Sequence, residues 1–495
     1  METVAIEATD GVELVFRLFR PAGVCAAQPA PLLLWNHGYP ERGTDRLIDA
    51  APYLERGYAF LSLDQRGILG ESGGFTSGAP RPGIEDADAA LVLDWVHAEA
   101  PWVARDPASG LPRDLVVGTF GNGAGGHLGV LLAARDARID ALLPYVHFAS
   151  VLDDVFAPNE AIRAFTATLF LDFSVSFGVR FEPELLPLID AAGDDFVIPE
   201  PLRDVWRTSD LAPLAGRVEV PTLFVQPLPD QVTNGLRAAL RTRRALGTRP
   251  EDVWLIGMNA PFFDPTDDRG FGVGAPDRER VNQCASLFTP GFAAGGIGRF
   301  LDGELVFLFF DAFLKGDADA LARMRRVPHV VLPAEQEGCV VGESWPLTES
   351  PRVFALGDLR IPEGEGALEV PLVEATETTL VAGTTRLRAT TAGDLDVLFL
   401  GTLVVRSGER RYVAHDQVLG AQTGPFGGAL DIELGSVVTR LEPGDELLFV
   451  LEGESFLYSD VGSAPSEPAV LRDVELEVPI VDAALLGAPV VVSEL

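Results

Sequence analysis

At 495 residues the chain is longer than one ordinary domain and long enough for two or three hydrophobic cores. Its 47% hydrophobic and 22% charged residues exclude a disordered chain. A formal charge of -35 repels phosphate backbones and anionic lipid, which excludes nucleic acid and membrane surfaces as partners.

Taken in order, residues 1–150 alternate short apolar runs with amphipathic stretches, the pattern of βα units in a mostly parallel sheet. PLLLWNHG, YAFLSLDQRG and DLVVGTFGNG read as buried strands that end in glycine and polar residues, where a parallel sheet places its functional loops. Between the last two, Ala87, Leu91, Val92 and Trp95 recur at helical spacing. RIDALLPYVHF is a further strand. Residues 151–215 change to helical segments with Phe-rich faces and proline breaks, the pattern of a helical cap over the sheet. The βα pattern returns over 216–344 with VPTLFVQPLPDQ, a helix around NGLRAALRTRRALG, the strand DVWLIGMN and the helix ELVFLFFDAFLKGD. Within it, 264–300 is rich in Gly and Asp and reads as a long excursion. From 345 to 495 short β runs separated by turn residues predict a β-sandwich.

Cys25, Cys284 and Cys339 lie far apart without metal-ligand or disulfide-framework spacing. With no secretory pattern at the start and no apolar run of membrane-spanning length, the expectation is a soluble protein of a reducing, cytoplasmic compartment. Lys315 is the single lysine, so the basic charge is arginine. No cofactor or metal is signalled. Asp264, Asp267 and Asp268 lack the spacing and closing glutamate of an EF-hand and read as a solvated turn.

Four segments, in order, resemble the cocaine-esterase and X-prolyl dipeptidyl-peptidase family of α/β-hydrolases. NHGYPERG is similar to the family's oxyanion loop, whose tyrosine donates its hydroxyl to the developing oxyanion; here that is Tyr39. LDQRGILGESGG resembles the D-x-R-G-x-G-x-S-x-G segment that follows the next strand. VVGTFGNGAGGHLG resembles the strand, sharp turn and helix of the nucleophile elbow, which places Gly123 at the nucleophile and Ala124 at the backbone oxyanion donor. VPTLFVQPLPDQVTN resembles the strand ending in the acid of the triad, which is Asp230. The base should follow the next strand in a G-G-H-G-like sequence, but Met258, Asn259 and Ala260 stand there. The resemblance implies an α/β-hydrolase domain with a helical cap, followed by a jelly-roll sandwich in which RLEPGDELL matches a typical strand.

Serine-type hydrolysis needs a nucleophile, a base within hydrogen-bond reach and an orienting acid. Only the acid remains, and losing the nucleophile of such a triad costs about six orders of magnitude in kcat. Glycine suits a strained turn once catalysis is no longer required. Of the other histidines, His147 is the one at a strand end facing the expected cleft, although a lone histidine among aromatic residues is more often a packed one. Two readings stand: a pseudoenzyme that binds or assembles, its partner a small molecule in the cleft, another protein or a second copy of itself, and an acyl, ester or peptide hydrolase with atypical chemistry.

Overall fold

The computed structural model describes residues 1–39, 41–162, 174–195, 198–228, 230, 235–258, 284–287, 301–335, 338–348, 350–362, 366–391, 397–416, 418–422, 427–453 and 469–495. Strand β1 (Glu2–Glu7) pairs antiparallel with β2 (Glu13–Phe19) at one edge of the first sheet. Next come β3 (Leu32–Asn36), β4 (Ala59–Leu63), β5 (Val117–Asn122), β6 (Ile139–Tyr145), β7 (Thr222–Pro227), β8 (Val253–Met258) and β9 (Val330–Pro333), all parallel to one another. Strand β10 (Cys339–Gly342) turns back antiparallel to β9. Sheet order is β1-β2-β4-β3-β5-β6-β7-β8-β9-β10, so the loops leaving β3, β5, β7 and β8 emerge at one edge.

These strands are apolar at successive positions because both faces are covered. Leu32 and Leu34 pack into one core while Leu33 and Trp35 pack into the other, as the alternation of a strand requires. The helices of this part are α1 (Leu47–Glu55), α2 (Glu85–Glu99), α3 (Ala124–Ala133), α4 (Leu186–Asp195), α5 (Glu200–Arg207), α6 (Ala212–Ala215), α7 (Leu236–Ala245), α8 (Glu304–Leu314) and α9 (Ala318–Met324). One core takes its helical side chains from α2 and α3, and the other from α1, α8 and α9.

Helix α2 does not bury the face that its sequence suggests. Ala89, Val92, Leu93 and Val96 are buried, whereas Ala87 is exposed and Trp95 is only partly covered, against Phe16 at 5.2 Å. The acidic first turn explains the rotation. Asp88 pairs with Arg66 at 2.6 Å, Asp86 pairs with Arg135 at 2.5 Å, and Glu85 accepts the Arg81 N–H at 2.8 Å, which draws three carboxylates inward.

Between β6 and β7 the described residues form a helical insertion: a π-helical turn at Val151–Phe156, a 3-10 turn at Pro158–Glu160, then α4, α5 and α6. Trp206 of α5 stacks on Phe156, centroids 4.4 Å apart.

The C-terminal part consists of β11 (Arg352–Arg360), β12 (Ala367–Glu374), β13 (Thr379–Thr391), β14 (Leu398–Ser407), β15 (Arg410–Val413), β16 (Leu419–Gln422), β17 (Gly428–Leu441), β18 (Glu446–Glu452), β19 (Val470–Val478) and β20 (Ile480–Val481). They form two antiparallel sheets, β11-β19-β13-β17 with β20 on β13, and β12-β18-β14-β15 with β16 on β14. Leu387 and Leu476 of the first sheet share a core with Phe399, Leu403 and Phe449 of the second, which makes the expected sandwich. A mixed cluster of Leu240, Leu332, Val340, Leu380 and Val438 fixes the sandwich to the α/β sheet. The last residues do not stay in the sandwich, as the 345–495 boundary would have it. Strand β21 (Leu486–Gly487) pairs with β10, Val490 bridges to Ala285, and Val492 is buried against the first sheet's core.

Cys284 and Cys339 form a disulfide across a separation of 55 residues. This overturns the expectation of reduced thiols. Their pairing is set by the sheet edge that brings β10 beside the 284–287 segment, a proximity that sequence spacing does not carry. Ellman's reagent is expected to titrate one thiol, the exposed Cys25, in the native protein, and all three cysteines after reduction and unfolding. Replacing both bridged cysteines by alanine is expected to lower the unfolding free energy by about 2–4 kcal/mol in urea. Three reactive thiols in the untreated native protein would refute the pairing.

Candidate functional site

The site is built on the edge where β3, β5, β7 and β8 end. Gly123 joins β5 to α3 with φ 53 and ψ -120, in the left-handed region where a side chain is strained. Its N–H donates to the Tyr145 carbonyl at 3.0 Å, and its own carbonyl accepts the His127 N–H at 3.0 Å. The turn is tight because its glycines allow contact with the neighbouring strand. A Cβ at Gly121 would lie 2.4 Å from the Asn36 oxygen, and one at Gly125 would lie 2.0 Å from it.

The loop after β3 is clamped from several sides. His37 is fully buried; its Nε2 accepts the Gln65 N–H at 3.0 Å, so the proton lies on Nδ1, which donates to the Gly38 carbonyl at 2.8 Å. Gln65 Nε2 also donates to the His37 carbonyl at 2.6 Å. The Asn122 carboxamide fills the place that a Cβ on Gly38 would take, at 2.8 Å. Loop and elbow therefore meet through the residue just before Gly123. Tyr39, at the tip, is 8% exposed, and burial raises its pKa while the neighbouring Ser174 hydroxyl offsets part of that rise.

The D-Q-R-G segment is scaffold. Asp64 accepts from Arg17 at 2.6 Å and from the backbone N–H groups of Gly43 and Glu71, while Arg66 pairs with Asp10 at 2.7 Å and with Asp88.

Asp230 is fully buried just beyond β7, its N–H donating to the Leu228 carbonyl at 3.0 Å. The Leu228 N–H donates to the Met258 carbonyl at 2.9 Å, which joins the acid-bearing loop to the end of β8 where the base is expected. Asn259 itself lies outside the described residues, as do Ala260 and the aspartates at 264, 267 and 268. Among the described residues no group of three or more His, Cys, Asp and Glu side chains could hold a metal.

His147 is fully buried rather than open to a cleft. Its Nε2 shares a hydrogen with Thr242 Oγ1 at 2.8 Å, its ring lies 5.4 Å from that of Phe224, and burial depresses its pKa to about 3. His127, one turn after Gly123, is likewise buried, with Nδ1 3.0 Å from the Phe148 carbonyl and a pKa lowered by burial to about 4. Both are neutral packing residues at neutral pH.

Over the elbow lies the insertion. Tyr39 and Ala124 belong to one apolar cluster with Phe148, Phe156, Phe181 and Trp206. Sequence reasoning missed Ser174, a buried residue beside the Tyr39 hydroxyl in a Phe-rich stretch that no motif marks.

A strand, a left-handed turn and a helix, with an oxyanion-type loop on the adjacent strand and a buried aspartate two strands away, is the α/β-hydrolase arrangement. The family model for X-Pro dipeptidyl-peptidase (S15 family) matches residues 10–256, which span all of these elements as far as β8. The chain belongs to that family.

Several solved structures align over nearly the whole chain. An α-amino acid ester hydrolase has a TM-score of 0.69 at 14% identity, covering 97% of this chain and 96% of its own. An aminopeptidase from a marine-sediment Thaumarchaeota archaeon scores 0.67 at 13% identity, with coverage of 97% and 96%. A CocE/NonD family hydrolase from Staphylococcus aureus scores 0.62 at 13% identity, with coverage of 97% and 93%. At these identities the likeness is one of fold. No curated protein shows a significant match.

The packing at the elbow gives a stability test. Gly125→Ala is expected to leave little folded protein, whereas Gly123→Ala pays chiefly for its dihedral, about 1–3 kcal/mol, both read by chemical unfolding. Equal, small effects would mean that α3 is not pressed on β3.

The buried histidines give a pH test. Their folded pKa values lie below the ordinary 6.5, so the stability they contribute is complete above that pH and is lost as pH falls towards 4 for His127 and 3 for His147. Glu85 acts in the opposite sense, since burial raises its carboxyl to about 7 and its contribution fades between pH 4.5 and 7. The readout is therefore a difference: His147→Gln is expected to lose less thermal stability than the parent between pH 6.5 and 4. Parallel curves would count against a neutral buried imidazole.

Proposed function

We propose that the chain is a non-hydrolytic member of its family, which binds a small molecule at the inherited elbow. The observation that carries this reading is glycine at position 123, at φ 53, where the family's chemistry needs a hydroxyl. Tyr39 and the first N–H of α3 at Ala124 remain beside it as donors for a carbonyl oxygen, with the helical insertion as cap. Asp230, buried just beyond β7 where the resemblance puts the acid, supports a reading in which the frame of a triad persists without its reacting atoms.

The family match itself supports a second reading, an ester or peptide hydrolase whose nucleophile comes from elsewhere in the chain. The -35 charge favours small-molecule or protein partners over nucleic acid and anionic membranes. The disulfide favours an oxidising compartment over the cytoplasm; no helix among the described residues is long and apolar enough to cross a membrane.

The purified protein is expected to hydrolyse p-nitrophenyl butyrate no faster than a heat-denatured control and to resist labelling by a fluorophosphonate. Gly123→Ser combined with histidine at 259 or 260 is expected to recover weak turnover, because the donors are already placed. Labelling of any residue in the unmodified chain would establish the hydrolase reading instead.

A further inference from the structure

Away from the elbow, one cavity gathers charged side chains that do not pair. It is lined by α1, α8 and α9, the helices that cover the face of the first sheet opposite α3, and by the C-terminal tail at Val492 and Ser493. Its volume is about 220 Å³. That is below the roughly 300–1,000 Å³ of clefts for drug-sized ligands, so its occupant is a small molecule. Leu308, Ala320 and Val492, all buried, give it an apolar lining.

Charge of both signs completes the lining, in Arg56, Arg323, Glu304 and Asp319. None of these four makes an ion pair among the described residues. With 73 acidic against 38 basic residues in the chain, carboxylates are plentiful, and an arginine without one is the less expected state. Asp319 and Arg323 even stand one turn apart on α9, the spacing at which an acid and a base ordinarily meet. Arg323 donates instead to the Val492 carbonyl of the tail. Arg56 lies over the Phe307 ring, 4.5 Å from its centroid, a contact that orients the guanidinium without consuming its N–H donors. The remaining carboxylates of the lining are engaged: Asp311 accepts from Lys315 and from the Tyr58 hydroxyl, both at 2.6 Å, and Asp317 caps α9.

We infer that this cavity binds a small zwitterion, an α-amino acid with an aliphatic side chain. Its carboxylate meets the Arg56 guanidinium, its ammonium meets Glu304 and Asp319, and its side chain lies on Leu308, Ala320 and Val492. The two unpaired signs decide the class of ligand. A simple cation satisfies the carboxylates and is repelled by the arginines, and a simple anion has the converse difficulty. A zwitterion gives each its complement through charge-assisted hydrogen bonds and adds no net charge to a chain already at -35. No bond is made or broken. The inference is independent of whether the elbow binds or hydrolyses.

The test is calorimetric titration of the full chain at pH 7 with L-leucine, isopentylamine and isocaproate. These share one apolar body and carry both charges, only the positive one and only the negative one. Leucine is expected to bind at least about tenfold more tightly than either of the others. Arg56→Gln is expected to weaken leucine about tenfold while leaving the amine unchanged, and Arg56→Lys to restore part of the loss. Glu304→Gln combined with Asp319→Asn is expected to weaken leucine and the amine together. Arg56, Glu304 and Asp319 are exposed, so these variants are expected to keep the thermal midpoint of the parent. An amine that binds as tightly as leucine reduces the cavity to a cation site and overturns the inference. Absence of leucine binding overturns it too, as does leucine binding that Arg56→Gln leaves intact.

Discussion

The carbonyl oxygen of Asn36 occupies the space that a side chain at position 121 or 125 would need. That contact presses the start of α3 against the end of β3, and the rest of the site follows from it. A helix that starts so close to the neighbouring strand must turn out of β5 within one residue, which forces a positive φ at 123. The same closeness brings the loop after β3 over the first turn of α3, so Tyr39 and Ala124 come to share one cluster. Gly121 and Gly125 are required by sterics whatever the protein does. Gly123 differs, because a serine there is tolerated at a cost in strain when chemistry demands it. Glycine at 123 adopts the same dihedral without a side-chain penalty.

Much of this was legible in the sequence because the strands of the α/β sheet are apolar on both faces and end in turn residues, as Leu32–Asn36 and Val117–Asn122 do. The positions of Gly123, Tyr39 and Asp230 followed from short motifs tied to particular strand ends. Other features depend on distant partners. The buried face of α2 is rotated by Asp86 and Asp88, which bury only because Arg135 and Arg66 reach them. The cystine depends on a sheet edge, and the return of β21 to β10 depends on a tail whose sequence resembles the sandwich strands before it. Ser174 was illegible for a different reason: its neighbours are the apolar residues that periodicity assigns to the core, and the structure inverts them.

The insertion is held over the elbow from outside by charge. Asn159, in a left-handed conformation at φ 50, donates to the Gly420 and Glu433 carbonyls of the sandwich and accepts from Arg237 of α7. Glu433 in turn faces Arg237 at 3.6 Å and Arg244 at 2.9 Å, while Arg241 holds Asp153 and Asp154 at 3.0 Å. Burial lowers the pKa of Arg237, so its charge is carried there at a desolvation cost that Glu433 and Asp154 offset. Such a junction adds little net stability compared with an apolar one, but an unmatched member is strongly unfavourable. It therefore fixes geometry: the entry of the insertion, the helix that follows the acid-bearing loop, and the sandwich share one set of partners. The sandwich contributes to the geometry of the site by this route.

An apolar roof changes what the remaining donors can do. In water, a tyrosine hydroxyl and an N–H offer a carbonyl little more than the solvent they displace. Under Phe148, Phe156 and Trp206 the same groups act in a low dielectric, where a satisfied hydrogen bond is stronger and a net charge is harder to hold. A hydrolase uses such surroundings for the instant in which negative charge develops on the substrate oxygen, and it needs a nucleophile and a base to reach that instant. Glycine at the elbow supplies no such nucleophile. On the binding reading proposed above, the same donors hold a carbonyl oxygen without attacking its carbon.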